Sequence, residues 1–124
     1  MLEFFEDNEK KGVATIYDRH ILFNSKLIKY FFNAYRVRIA VDRENKKIHV
    51  FLLDKDYALS GEFNSSSLLS VSISKSYVRI ASKSMINFIL DSFKLTLDKG
   101  KSIAYDAIYD EINKEIVIDV GGGL

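Results

Sequence analysis

The stretch DRENKKIHV (residues 42–50) returns as DEINKEIVI (residues 110–118), 68 positions further on, with the frame Asp-x-x-Asn-Lys-x-Ile-x-(Val/Ile) kept. Asp and Asn at this spacing bond their own backbone and tolerate left-handed dihedrals, so both stretches read as tight turns leading into strands. The strand before the first turn alternates. Val37, Ile39 and Val41 point one way and Arg36, Arg38 and Ala40 the other, and Ile48, Val50 and Leu52 resume the alternation beyond the turn. A hairpin is therefore spelled twice in one chain of 124 residues.

Working outward, residues 12–18 (GVATIYD) and 20–24 (HILFN) are rich in β-branched and aromatic side chains and flank a turn at Asp18-Arg19, which predicts another hairpin. Asn24 and Ser25 then supply N-cap chemistry for a short helix, in which Leu27, Ile28, Phe31 and Phe32 share one face. The same order begins again later. After a weakly patterned connector (residues 54–67) come an apolar strand at residues 68–73, a strand at 77–80, cap chemistry at Ser82 and Ser84, and a helical face of Met85, Ile86, Ile89 and Leu90.

Sliding the chain by 58 positions sets Leu22 on Ile80, Asn24 on Ser82, Leu27 on Met85, Ile28 on Ile86, Phe31 on Ile89 and Phe32 on Leu90. A slide of 68 sets Val37 on Tyr105, Ile39 on Ala107, Val41 on Tyr109 and Asp42, Asn45 and Lys46 on Asp110, Asn113 and Lys114. The difference is an insertion of about ten residues near 92–101 in the second copy, and the strand alignment tolerates a slip of one. The internal repeat spans residues 12–53 and 70–120. Each copy has an apolar face too small to bury alone, so pairing about a pseudo-two-fold axis is the expected solution.

Composition bounds the rest. The length is that of a single domain (1–124), 48% of residues are hydrophobic, and the net charge of +1 excludes a histone-like or acidic-tail character. With no cysteine, disulfides, thiol catalysis and thiolate metal sites are out. Neither a signal peptide nor a membrane-spanning run is recognisable, so the expectation is a cytoplasmic protein without a membrane partner.

Each copy runs strand, strand, short helix, strand, polar turn, strand. On HILFNSKLIKYFF (residues 20–32) and RVRIAVDRENKKIHVFL (residues 36–52) the chain resembles the AbrB/MazE/SpoVT family of swapped-hairpin proteins. The resemblance implies a mainly β (α+β) protein in which two swapped-hairpin units with short helices form one pseudo-two-fold barrel, here within one chain that is a monomeric pseudodimer or a homodimer. The family's glycine-arginine turn is represented by Asp18-Arg19-His20, and its proline before the helix by Asn24 and Ser82.

The resemblance further implies a DNA-binding transcriptional regulator whose phosphate-facing group is Arg19, Lys26 and Lys29, with Arg36 and Arg38 beside them and Lys75, Arg79 and Lys83 in the second copy. Residues 12–47 hold eight Lys or Arg against three Asp or Glu, and such an excess suits counterion release from phosphates. The same charges also serve as an ordinary solvated face. The alternative function is a non-catalytic protein-interaction module that keeps the barrel without DNA, with Leu2, Phe4 and Phe5 either docking on a protein partner or, the favoured reading, packing on their own barrel. No enzyme, metal or cofactor is expected. His20 and His49 lie in different hairpins, no nucleophile is paired with a base, and Gly121-Gly122-Gly123 opens no helix and reads as a flexible tail (121–124).

Overall fold

In a computed structural model the described residues are 1–4 and 11–122. They form a mainly β structure of eight antiparallel strands: β1 (Val13–Ile16), β2 (His20–Asn24), β3 (Arg36–Asp42), β4 (Lys47–Leu53), β5 (Ser72–Ile73), β6 (Tyr77–Ala81), β7 (Ile103–Asp110) and β8 (Glu115–Asp119). Between them lie the 3-10 helices η1 (Ser25–Phe31) and η2 (Ser65–Ser67) and the α-helices α1 (Lys55–Ala58) and α2 (Lys83–Phe93). The strands make one curled, half-barrel sheet in the order β3-β4-β8-β7-β1-β2-β6-β5.

The curl is made at β7. Its first half, through Asp106, pairs with β1, and its second half, from Ala107, pairs with β8. At the changeover the Ala107 amide donates to the Gly12 carbonyl at 3.0 Å, and a Cβ on residue 12 would run into the Ala107 carbonyl oxygen. Only glycine lets the two backbones approach this closely. On the far side of the sheet, Val37 and Leu69 exchange a pair of hydrogen bonds (3.0 and 2.9 Å), linking the free edge of β3 to the segment that carries β5.

The concave side buries an apolar core from both ends of the sheet, including Ile16, Ile21, Phe23, Val37, Ile48, Val50, Val78, Ile80, Ile116 and Ile118, all fully buried. Ile48 faces Ile118 and Val50 faces Ile116 across the β4–β8 pair, so the strand alternation read from the sequence is what fills the core. Helix α2 adds Met85, Ile86 and Ile89, and η1 adds Leu27, Ile28 and Phe31, with the Phe31 and Phe23 rings 5.0 Å apart.

Several expectations need correction. Phe32 is 66% exposed, because η1 is wound as a 3-10 helix of three residues per turn and ends at Phe31, which rotates position 32 off the buried face. Asn24 stands at the N-cap position of η1 without capping it. Its side chain instead accepts from the Val13 amide (3.1 Å) and donates to the Lys11 carbonyl (2.7 Å), fastening the start of β1. Ser82 does cap α2, accepting from the Met85 amide. The expected strand at 68–73 is reduced to the Leu69 pair and Ser72–Ile73. In β4 it is Leu53 that is buried, while Leu52 is only partly so. The inserted stretch near 92–101 adds to α2 only as far as Phe93: the helix closes at Lys94 in a left-handed cap (φ 53°) with the Leu95 amide donating to the Leu90 carbonyl, and the chain then runs without helix or strand to β7.

At the chain's start, Leu2 and Phe4 are exposed and do not pack on the sheet, and Phe5 lies outside the described residues. At the other end, Gly121 donates to the Lys46 carbonyl and Gly122 to Asp119 Oδ1, while residues 123–124 lie outside the described residues. Gly12→Ala should lower stability by about 1–3 kcal/mol, since the added methyl must push β1 and β7 apart. Chemical denaturation of the two proteins checks this, and an unchanged midpoint would contradict the close approach.

Candidate nucleic-acid interface

The two copies of the quoted frame fold alike. Asn45 donates its amide to Asp42 Oδ1 (3.1 Å) and its Nδ2 to Oδ2 (2.8 Å), and Asn113 repeats both bonds to Asp110 at 3.2 and 2.8 Å. These bonds hold both carboxyls below the ordinary carboxylate value of 3.8, with the Asn side chain as the main cause in each case. The following residues, Lys46 and Lys114, take left-handed conformations (φ 55° and 51°). That twist aims each lysine's carbonyl at the opposite hairpin. Lys46 O accepts from Val120 N (3.0 Å), and Lys114 O accepts from Leu52 N (3.2 Å).

The first hairpins are also alike in their turns. Tyr17 donates to the His20 carbonyl at 2.8 Å, and Ser74 to the Tyr77 carbonyl at 2.9 Å, so Asp18-Arg19 and Lys75-Ser76 occupy equivalent turns. The strands that follow these turns, β2 and β6, pair antiparallel with Ile21 opposite Ile80 and Asn24 opposite Tyr77. Each turn therefore lies beside the helix start of the other hairpin. The Ser82 amide donates to the Arg19 carbonyl (3.0 Å), and Lys83 Nζ reaches the Asp18 carbonyl (3.3 Å).

This arrangement sorts the eight candidate cations. Arg19 and Lys83 meet at one end of the β2–β6 pair, and Lys75 leaves the sheet at the other end, where the chain passes from Asn24 into η1 with Lys26. Arg79 stands exposed in the middle of β6, opposite Leu22. Lys26 and Lys29 are exposed on η1, with Lys29 Nζ 5.2 Å from the Tyr30 ring.

Arg36 and Arg38 are elsewhere. They lie on the outer side of β3, opposite Leu53 and Phe51, and both are engaged by aromatic rings. The Arg36 guanidinium sits 4.3 Å from the Tyr35 ring centre and donates to the Tyr35 carbonyl, and Arg38 sits 4.6 Å from the Phe63 ring, with its Nε buried and without a partner among the described residues. Tyr57 meets Phe63 edge-on at 4.9 Å, so the connector after β4 folds back over Arg38. Two of the expected phosphate-facing cations are thus each engaged by an aromatic ring, where cation–π attraction favours staying put.

A feature not visible in the sequence is the pair His49–Glu115. Glu115 is only 5% exposed, and its Oε1 is 2.8 Å from His49 Nδ1. His49 and Glu115 sit 66 residues apart, so neither hairpin read alone shows that the two meet. Among the described residues no group of three or more His, Asp or Glu side chains converges on one point.

His20 stacks on Tyr17 (ring centres 4.6 Å apart). Partial burial, followed by the nearby Arg79 charge and opposed by Asp18, lowers its pKa from 6.5. Proton binding is thus weaker in the folded state, so the stability tied to neutral His20 is fully present above pH 6.5 and is lost as pH falls below it. An NMR titration of the imidazole should give a midpoint under 6.5 that rises in Arg79→Ala; no movement would show that Arg79 does not act on the ring. Truncating His49→Ala should cost about 1–3 kcal/mol by leaving the Glu115 carboxylate without its partner, measured by denaturation at neutral pH. Comparison of the chain with protein-family models, with curated proteins and with solved structures returns no match.

Proposed function

We propose that the chain is a DNA-binding regulator of the AbrB/MazE/SpoVT swapped-hairpin type, with two interleaved units, residues 12–53 and 70–120, fused in one chain. The phosphate-binding face is the outer side of the β2–β6 pair. The observation that carries the reading is the junction at which Lys83 Nζ reaches the Asp18 carbonyl and the Ser82 amide the Arg19 carbonyl, with the equivalent turn bearing Lys75 at the opposite end of the same strand pair. Cations at the two ends of a strand pair, with Arg79 between them, suit the charged rail of a duplex backbone.

The strand order supports the two-unit architecture. Leu69, three residues before β5, bonds to Val37 of β3, so this one bridge brings the ends of the order β3-β4-β8-β7-β1-β2-β6-β5 together and the succession reads as a ring. Exchanging β1–β4 for β5–β8 returns the same ring, with the Val37–Leu69 bridge in the place that β1–β7 pairing takes in the other half. The reciprocal bonds Lys46 O to Val120 N and Lys114 O to Leu52 N obey the same exchange.

The two halves differ in strength. Arg19 has only Lys75-Ser76 as its counterpart, and η1 carries Lys26 and Lys29 where α2 carries Lys83. DNA would therefore be gripped more firmly by the first half. Gel retardation of duplex DNA over a salt series tests the proposal. Retention should fall steeply with salt, and Arg19→Ala with Lys83→Ala should flatten the log–log slope by about two. Arg36→Ala should leave that slope nearly unchanged, because its guanidinium is already occupied by Tyr35. Absence of salt-dependent retention in the wild-type chain would leave the protein-interaction module as the better account.

A further inference from the structure

The two hairpin turns, so alike in backbone, stand over cavities of opposite character. Beside the second turn, a cavity of about 240 Å3 is lined by Tyr30, Tyr109, Asp54 and Lys114, one carboxylate and one ammonium. Beside the first, a cavity of about 350 Å3 is lined by Arg43, Lys46 and Lys94, with no acidic side chain in its wall. Phe93, Leu95 and Val120 supply an apolar part of the same wall. The contrast is written into the repeat, for Arg43 stands where the second copy has Glu111, and Lys94 belongs to the segment that the first copy lacks.

We propose that this cavity binds a small phosphorylated ligand with an apolar or planar portion, of the size of a mononucleotide. The volume falls in the range of small-molecule sites, roughly 300–1,000 Å3, and the combination of an apolar wall with a few convergent polar groups is the usual make-up of such sites. Among the described residues no ion pair engages Arg43, Lys46 or Lys94. The three positive charges therefore leave the wall basic, and an arginine fork with two ammonium groups matches the oxygens of a phosphate.

Placement of these cations is built in by the backbone. Lys46 and Lys94 both hold left-handed conformations, one as the last residue of the β3–β4 turn and one as the cap of α2, so each side chain leaves the chain at a fixed sharp bend. Arg43 is steered by Ser92, a buried residue whose Oγ donates to the Phe88 carbonyl at 2.6 Å and accepts a long bond from Arg43 Nη2 at 3.5 Å. The ligand phosphate would sit among Arg43, Lys46 and Lys94, and its apolar portion against Phe93 and Leu95. This site is separate from the β2–β6 face and does not depend on DNA binding there.

The test is an NMR titration of the full chain, in separate experiments, with ADP, with inorganic phosphate and with sulfate at matched ionic strength. Saturable shifts of the Arg43, Lys46, Phe93, Lys94 and Gly121 amides are expected with ADP, with weaker binding of phosphate. Arg43→Ala combined with Lys94→Ala should raise the ADP Kd by about tenfold or more, whereas Lys114→Ala, at the equivalent turn, should leave it unchanged. Both altered sites are exposed, so a well-dispersed spectrum of each variant confirms that folding is intact. Overturning results would be no saturable shift with ADP, equal midpoints for ADP and sulfate, which marks an unselective anion surface, or an ADP affinity that the double substitution does not change.

Discussion

The pairing of β4 with β8 is the constraint from which the rest of the molecule hangs. These strands put Ile48 against Ile118 and Val50 against Ile116 at the centre of the core, and each hairpin they belong to is fastened to the other by a lysine carbonyl. The left-handed lysine is the costly part, since a side chain in that conformation loses roughly 1–2 kcal/mol relative to the right-handed one. What offsets the cost is a backbone acceptor delivered across the hairpin boundary, where an unmet amide at the end of a strand would cost a comparable amount. The Asp–Asn bonds beneath it keep the turn in the only shape that makes the delivery. The repeated spelling is thus a requirement of the joint between hairpins as much as of the turn.

Charge is arranged with little net excess and much local order. Arg36 and Arg38 are absorbed by Tyr35 and Phe63, Lys47 pairs with Asp119 at 3.7 Å, and His49 answers Glu115. Among the described cations outside those pairs, Arg19, Lys75 and Lys83 stand at the β2–β6 ends and Arg43, Lys46 and Lys94 around the first turn, so a net charge of +1 hides local basic groupings.

Much of the architecture was legible in the sequence because period and turn chemistry are local. The three hairpin strand pairs, the order of elements and the equivalence of Asp42 with Asp110 follow from alternation and from Asp-x-x-Asn. The pairing of one hairpin with another did not, and it rests on contacts between residues more than fifty positions apart, such as Leu22 with Arg79. The misread positions share a cause. Phe32 was placed by an α-helical period where the chain winds tighter, and Asn24 by cap chemistry where tertiary bonds to Lys11 and Val13 claimed its side chain. Of the candidate site, Arg19 and Lys83 were legible as cations but not as neighbours. The capture of Arg38 by Phe63 was invisible, because that ring arrives from a connector with no periodic signal.

The bridge between Val37 and Leu69 is narrow beside every other junction of the sheet. Four residue pairs join β1 to β7 and five join β4 to β8, whereas the opposite seam is held by one backbone pair, beside an open pocket lined by Ile39, Met85 and Phe88. Stability in such a structure is not evenly shared, and the cheapest local opening unzips where the fewest bonds break. The molecule thus has a spine along β4–β8 and a clasp at Leu69, where the fewest backbone bonds hold the segment between α1 and β6 to β3.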